Sequence, residues 1–121
     1  METRNALIKS ASIKFDRDML SAWLDLKYST SLGQGFGGYV LLTSPDSRHR
    51  AAAERGPNYA GIFIDRVMRI AGVQNWSDLP GKTVRVKCTH SSVKAIGHII
   101  NDDWFCPSSD FESLEKLEAP E

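Results

Sequence analysis

The 121-residue sequence has few cysteines, no net charge and no long apolar run, and each absence excludes a class of protein. Two cysteines, Cys88 and Cys106, are too few for a secreted disulfide framework, and no Cys/His metal spacing is present. No apolar run is long enough to span a membrane, and the N-terminus lacks the apolar core of a signal peptide. The sequence therefore predicts a cytoplasmic protein with two reduced thiols, no bound metal and no cofactor.

The charge balance argues against general nucleic-acid binding. Fifteen basic and fifteen acidic side chains cancel, whereas proteins that coat DNA carry a basic excess. A local basic pocket for a small anion remains compatible with this balance. The length fits a single domain over residues 1–121, and 41% hydrophobic residues are ordinary for a globular fold. We expect the acidic C-terminal segment, 107–121, to be partly flexible.

The common enzyme signatures are also missing. The sequence contains no GxxxxGK[ST] phosphate loop, no GxSxG elbow and no HExxH helix. Gly33, Gly35 and Gly38 match the spacing of the dinucleotide-binding motif GxGxxG, but that motif opens a helix after a strand. Here the glycines run into residues 39–42, which read as a strand. We therefore predict a protein that is not an enzyme.

The pattern of apolar residues predicts the fold class. Apolar and polar residues alternate, as in half-buried strands, over 20–28 and 83–89, and we also predict strands over 5–15, 39–42 and 93–100. The last of these segments also fits a helix, although its β-branched residues favour a strand. An apolar stripe at helical spacing predicts a main helix over 58–71, and a short C-terminal helix is expected at 110–117. The predicted fold is α+β: an antiparallel β-sheet of about five to six strands with one main helix packed on it.

The most unusual feature of the sequence is the run Gly33-Gln34-Gly35-Phe36-Gly37-Gly38-Tyr39. Glycine allows positive φ angles and close backbone approach, and successive N–H groups in such a loop can form an anion-binding nest. Phe36 and Tyr39 can supply aromatic faces for a base. The alternative is a hairpin corner in which glycines permit a sharp bend or bulge. Gly35, Phe36, Gly37 and Tyr39 are the candidate ligand-binding residues of this run.

A second candidate site is a basic cluster between residues 82 and 98, which contains no acid. In a strand over 83–89, alternate residues share a face, and such a stripe can hold phosphate through charge-assisted hydrogen bonds. The alternative is a solvated sheet face. The ligand candidates in this cluster are Arg85, Lys87, His90, Lys94 and His98. The two histidines have no evident third ligand, so we do not expect them to bind a metal.

Two further features suggest contact with another protein. Trp23 falls on the polar face of its strand, where a large exposed aromatic indicates a partner or a covering element. The polar segment 44–57 contains Arg48 and Arg50 and is predicted to be a mobile surface loop. Trp23, Arg48 and Arg50 are therefore candidate contact residues for a protein partner.

Four motifs, taken in order, resemble a family of small bacteriophage and prophage proteins over roughly residues 10–106. They are GQGFGGY at 33–39, IDRVMRIAGV at 64–73, WSDLPGKTVRV at 76–86 and AIGHIINDDWF at 95–105. The pattern is similar to the first family of phage anti-Thoeris proteins. Those are small α+β proteins that sequester cyclic nucleotide signals of bacterial immunity, namely cyclic ADP-ribose isomers and in some cases cyclic di- or trinucleotides.

The resemblance implies a phage-encoded immune-evasion protein that binds its signal in the host cytoplasm without degrading it. It also implies a homo-oligomer with ligands at subunit interfaces. Two other functions stay open on the residues themselves. One is a protein-binding inhibitor of a host defence complex, of the anti-CRISPR kind. The other is a small enzyme acting on nucleotides with His90 or His98 as its base.

Overall fold

A computed structural model describes residues 1–16, 19–29, 32–43 and 59–118. These residues form six β-strands, two α-helices and a short 3-10 turn. The strands are β1 (Glu2–Asp16), β2 (Met19–Lys27), β3 (Gly33–Thr43), β4 (Thr83–Cys88), β5 (Val93–Gly97) and β6 (Trp104–Phe105). The helices are α1 (Tyr59–Ala71) and α2 (Pro107–Glu118), and the 3-10 turn spans Trp76–Asp78.

The six strands make one sheet in the order β3-β2-β1-β4-β5-β6, and every neighbouring pair is antiparallel. The 15-residue β1 joins the two halves of this sheet. Its first half pairs with β4, ending at Leu7 opposite Thr83, and its second half pairs with β2, ending at Asp16 opposite Met19. The predicted α+β fold, with an antiparallel sheet, one main helix and a short C-terminal helix, is confirmed.

Alternation along the strands and the stripe on α1 create the core. In β2, Ala22, Leu24 and Leu26 are buried on the face that α1 covers. From α1, Phe63, Val67 and Ile70 pack against that face, at the i, i+4, i+7 spacing of one helix side. Burying a side chain of this size contributes about 1.5–3 kcal/mol to folding. The stripe therefore fixes both the position of α1 and the face of the sheet that turns inward.

Glycine ends the main helix. Gly72 has φ +74°, which only glycine adopts without strain, and its N–H donates to the Met68 carbonyl at 2.9 Å. The N–H of Gly72 also donates to the Arg69 carbonyl at 3.2 Å, and the N–H of Val73 donates to the Met68 carbonyl at 3.0 Å. This pattern of hydrogen bonds is the Schellman type of helix end, so the chain leaves α1 at a fixed angle.

Three element boundaries differ from those predicted. β3 begins at Gly33 rather than at residue 39, so the glycine run lies in a strand and not in a loop. β5 ends at Gly97, because the N–H of His98 donates to the Asp103 carbonyl at 3.0 Å and closes a turn. α2 begins at Pro107 rather than at 110, since proline is well suited to the first position of a helix.

The sheet is strongly curved, so that β3 approaches the far half of the sheet. Phe36 of β3 and Phe105 of β6 belong to the two terminal strands, yet their ring centroids are 6.3 Å apart. The Gln34 side chain of β3 donates to the carbonyls of Thr89 and His90, at 3.2 and 3.3 Å. We call the line along which β3 faces the β4–β5 hairpin the seam. The candidate sites lie beside it.

Candidate functional site

The glycine run is built for close packing on both faces of β3. Gly37 has φ +121°, and a Cβ there would lie 2.7 Å from the Phe63 ring and from the Ala22 carbonyl oxygen. Gly38 has φ +88°, and a Cβ there would lie 2.7 Å from the Trp23 indole. The β2–β3 register shifts at this point, as in a β-bulge. The two glycines therefore let α1 approach one face of the strand and an indole approach the other.

The aromatic residues of the run point into the protein. Phe36 is only 5% exposed, and its ring lies 5.5 Å from that of Phe63. Tyr39 is half-buried, with its ring 5.3 Å from Phe63 and 5.0 Å from Phe111. Burial raises the pKa of the Tyr39 hydroxyl, and the nearby Cys106 thiol raises it further. The rings that the sequence suggested as open faces for a base thus pack mainly in the core, because strand alternation turns them inward.

Trp23 supplies the aromatic surface on the outer side of β3. Its indole crosses the glycine run, lying 3.8 Å from the position of a Cβ on Gly35 and closer still to that on Gly38. Its Nε1–H donates to the Ser21 hydroxyl at 3.1 Å, which fixes the ring orientation. Trp23 is half-buried and on the face opposite α1. Its cover is therefore the glycine backbone of its own sheet.

Beside this indole is a cavity of about 310 Å³, which we call the β3 groove. It is formed where β3, the last strand of the sheet, faces β5 and the start of α2. Its lining residues are Trp23, Gly35, Phe36, Gly37, Tyr39, Ser92, Val93, Lys94, Pro107 and Ser108. Six of these were predicted as ligand or partner contacts, and the structure brings those six together from three strands, β2, β3 and β5.

The groove offers groups for binding an anion with a planar part. Lys94 is exposed and carries a positive charge, and Ser92 and Ser108 add hydroxyl groups. As a terminal strand, β3 has a described neighbour on one side only, so its other edge turns backbone groups outward. The described residues that line the groove include no carboxylate and no imidazole. The two serines were not predicted, because nothing in the local sequence separates them from other surface hydroxyls.

The remaining basic residues of the 82–98 cluster lie elsewhere. Arg85 and Lys87 share the outer face of β4, as predicted, and both sit over the Trp104 ring, 4.9 and 4.4 Å from its centroid. The Arg85 guanidinium donates to the carbonyls of His98 and Asn101, at 2.8 and 2.7 Å. Arg85 therefore holds the β5–β6 turn and is already hydrogen-bonded.

The two histidines have different surroundings. In His98, Nδ1 accepts the backbone N–H groups of Ile100 and Asn101, at 3.0 and 2.9 Å, inside its own turn. His90 is exposed on the β4–β5 turn, beside a cavity that also contains Arg4. The basic cluster is thus continuous in sequence but lies on three surfaces: the Trp104 ring, the β3 groove and the cavity beside His90. The β4–β5 hairpin and the β5–β6 turn separate its members.

Some predicted features fall outside what the structure describes. Arg48 and Arg50 belong to the segment 44–58, which lies outside the described residues. Within the described ranges, no group of three or more His, Cys, Asp or Glu residues is placed to hold a metal ion. Among the helices of the same ranges, none combines the length and apolar character needed to cross a bilayer.

Comparison with known proteins does not identify the chain. No model of a known protein family matches it, and no curated protein shows significant similarity to it. Within the described residues, the β3 groove and the sequence motifs are the features that bear on function.

Proposed function

We propose that this protein binds and sequesters a cyclic nucleotide signal, of the cyclic ADP-ribose or cyclic oligonucleotide class, without degrading it. We further propose that it is a phage-encoded antagonist of host immunity that acts in the bacterial cytoplasm. The observation that carries the proposal is the β3 groove, where the Trp23 indole, the glycine edge of β3 and the Lys94 ammonium converge on one cavity.

In this proposal each part of the groove has a role. The Trp23 indole stacks against a base, an interaction worth about 1–3 kcal/mol per base. The Lys94 ammonium and the outward N–H groups of β3 bind phosphate oxygens, and close backbone approach is possible because Gly35 and Gly37 carry no side chain.

The size of the groove favours an oligomer. Its volume of about 310 Å³ is at the lower end for a small-molecule site, so a ligand with two nucleotides would extend beyond one chain. We propose a homo-oligomer in which a second copy covers the exposed part of the ligand. Light scattering on the purified protein with and without ligand tests this part separately.

Calorimetry with a panel of cyclic ADP-ribose isomers and cyclic di- and trinucleotides tests the binding proposal. We expect saturable binding of at least one member, and mass spectrometry should recover that ligand intact. Lys94→Gln should weaken binding by about fivefold or more, since it removes the charge of one phosphate contact. Arg69→Gln, which removes an equal charge from the exposed side of α1, is the matched control and should bind as the wild type does. Failure of the whole panel to bind, or loss of intact ligand, contradicts the proposal.

An exposed apolar pair favours a second candidate, a protein-binding inhibitor of a host defence complex. Phe15 is 69% exposed and Ile13 is 44% exposed, and both lie at the end of β1 that extends past β4. Large exposed apolar side chains that adjoin are common at protein interfaces. Capture of a stoichiometric host protein by the wild type, and its loss on Phe15→Ser, would favour this function over signal binding.

A further inference from the structure

Arg4 has hydrogen-bonding capacity that the fold does not use. It lies on β1, half-buried, with its guanidinium carbon 4.2 Å from the centroid of the Tyr28 ring. Within the described part of the chain its guanidinium N–H groups have no hydrogen-bond or ion-pair acceptor. A guanidinium carries five N–H donors, and contact with an aromatic face satisfies none of them. Arg85, by contrast, uses its donors on two carbonyls.

The Tyr28 ring beneath Arg4 is firmly held. Tyr28 is 5% exposed, its hydroxyl donates to the Gln34 side-chain oxygen, and its backbone N–H donates to the Leu32 carbonyl at 3.0 Å. The same Gln34 side chain reaches across the seam to Thr89 and His90. A fixed ring limits the motion of the cation that stacks on it, so less side-chain entropy is lost when the guanidinium binds something.

Arg4 is one of the residues that line a cavity of about 250 Å³, which we call the Arg4 cavity. The other lining residues are Tyr28, Leu32, Gly33 and Gln34 from the end of β2 to the start of β3, Thr89 and His90 from the β4–β5 turn, and the exposed Glu2 at the rim. The Gln34 bridge stands between this cavity and the β3 groove. On β3, Gly33 and Gln34 line the Arg4 cavity, and Gly35 is the first residue that lines the β3 groove. On the β4–β5 hairpin, Thr89 and His90 line the Arg4 cavity, and Ser92 is the first residue that lines the β3 groove.

We propose that the Arg4 cavity is a second binding site, for an oxyanion of the phosphate or carboxylate class. The Arg4 fork donates to two oxygens of the anion, which is the geometry in which guanidinium groups bind such anions. The exposed His90, which also lines the cavity, adds a further donor. The volume suits a single anionic group with a small body rather than a whole nucleotide. The Glu2 carboxylate opposes the anion at the rim, so the affinity is set by the balance between Arg4 and Glu2. This site does not depend on the function proposed for the β3 groove.

NMR titration of the ¹⁵N-labelled full chain with inorganic phosphate tests the proposal. The ionic strength is held constant with chloride, so that a response to salt alone is excluded. We expect saturable shifts at the Arg4 side-chain N–H and at the backbone N–H groups of Gly33 and His90. A parallel titration with acetate distinguishes the phosphate class from the carboxylate class, because the anion with the lower dissociation constant belongs to the preferred class.

Variants of opposite sign make the test specific. Arg4→Gln should weaken phosphate binding about tenfold, whereas Glu2→Gln should strengthen it severalfold by removing the repulsion at the rim. Arg69→Gln, which removes a distant charge, should leave binding unchanged. Should Arg4→Gln fail to fold, Arg4→Lys keeps the charge and loses the fork, and a several-fold weakening is again expected. The proposal is overturned if neither anion binds, if Arg4→Gln or Arg4→Lys binds as the wild type does, or if Arg69→Gln weakens binding equally.

Discussion

Substitution of Gly38 by alanine tests whether the Trp23 indole needs a glycine beneath it. At φ +88° an alanine is strained by about 1–2 kcal/mol, whatever surrounds it. Its Cβ would also lie 2.7 Å from the indole, and overpacking of this kind costs about 1–3 kcal/mol. We therefore expect Gly38→Ala to lower the free energy of unfolding by about 2–5 kcal/mol, a large part of the 5–15 kcal/mol typical of a domain.

Gly72 provides a matched control for the backbone part of this effect. It too has a positive φ, +74°, but a Cβ there would meet nothing within 4 Å. Gly72→Ala should therefore cost only about 1–2 kcal/mol. Alanine also lowers the conformational entropy of the unfolded chain, which offsets part of the loss of unfolding free energy in both variants. Because this offset is similar at the two positions, it cancels when the variants are compared.

The contact itself is isolated in a double-mutant cycle with Trp23→Ala. Without the indole, Gly38→Ala should cost no more than Gly72→Ala, so that Gly38 and Trp23 couple by about 1–3 kcal/mol. Urea denaturation followed by far-UV circular dichroism gives these values without relying on the fluorescence of the altered tryptophan. Equal costs for Gly38→Ala and Gly72→Ala in the wild-type background, or no coupling to Trp23, would refute the packing argument.

Two further predictions concern single side chains. Arg85→Ala should lower the free energy of unfolding by about 2 kcal/mol in urea denaturation, because it removes the hydrogen bonds to His98 and Asn101; a loss under about 0.5 kcal/mol would contradict the structural role of Arg85. Burial, with a contribution from the Cys88 thiol, raises the pKa of Tyr28 to about 12, so the fold favours the neutral phenol. The stability that this preference gives below pH 10 is therefore lost as the pH rises from about 10 towards 12. Relative to Tyr28→Phe, the wild type should lose unfolding free energy over that range, and parallel pH curves would count against the burial argument.

Part of the fold follows directly from the sequence. The alternation in β2 and β4 and the apolar stripe of α1 are strong local signals, and each matches the structure closely. The second half of β3 was predicted as a strand, but its first half, the glycine run, could not be predicted in this way, because glycine disfavours strands on its own. Its glycine run is a strand since Phe63 approaches one face and Trp23 the other, and those contacts join residues distant in the chain.

The candidate site shows the same division. The sequence indicated Gly35, Gly37 and Lys94 as ligand contacts, but it grouped Lys94 with Arg85, which lies at the Trp104 surface. The curvature of the sheet, which the sequence pattern does not reveal, is what brings Lys94 rather than Arg85 beside β3. The hydrogen bonds of Gln34 across the seam also depend on that curvature. A long polar side chain within a glycine run is nevertheless a signal that sequence reasoning can use.

The indole N–H resonances of Trp23 and Trp104 distinguish signal binding in the β3 groove from binding elsewhere, since each resonance reports on one of the surfaces that carry predicted ligand residues. They are assigned by Trp→Phe substitution and followed in ¹⁵N spectra while the panel of cyclic ADP-ribose isomers and cyclic oligonucleotides is added. If the β3 groove sequesters such a signal, the Trp23 resonance shifts and saturates while that of Trp104 stays in place. A shift confined to Trp104, or no shift of either resonance with any member of the panel, would contradict the account.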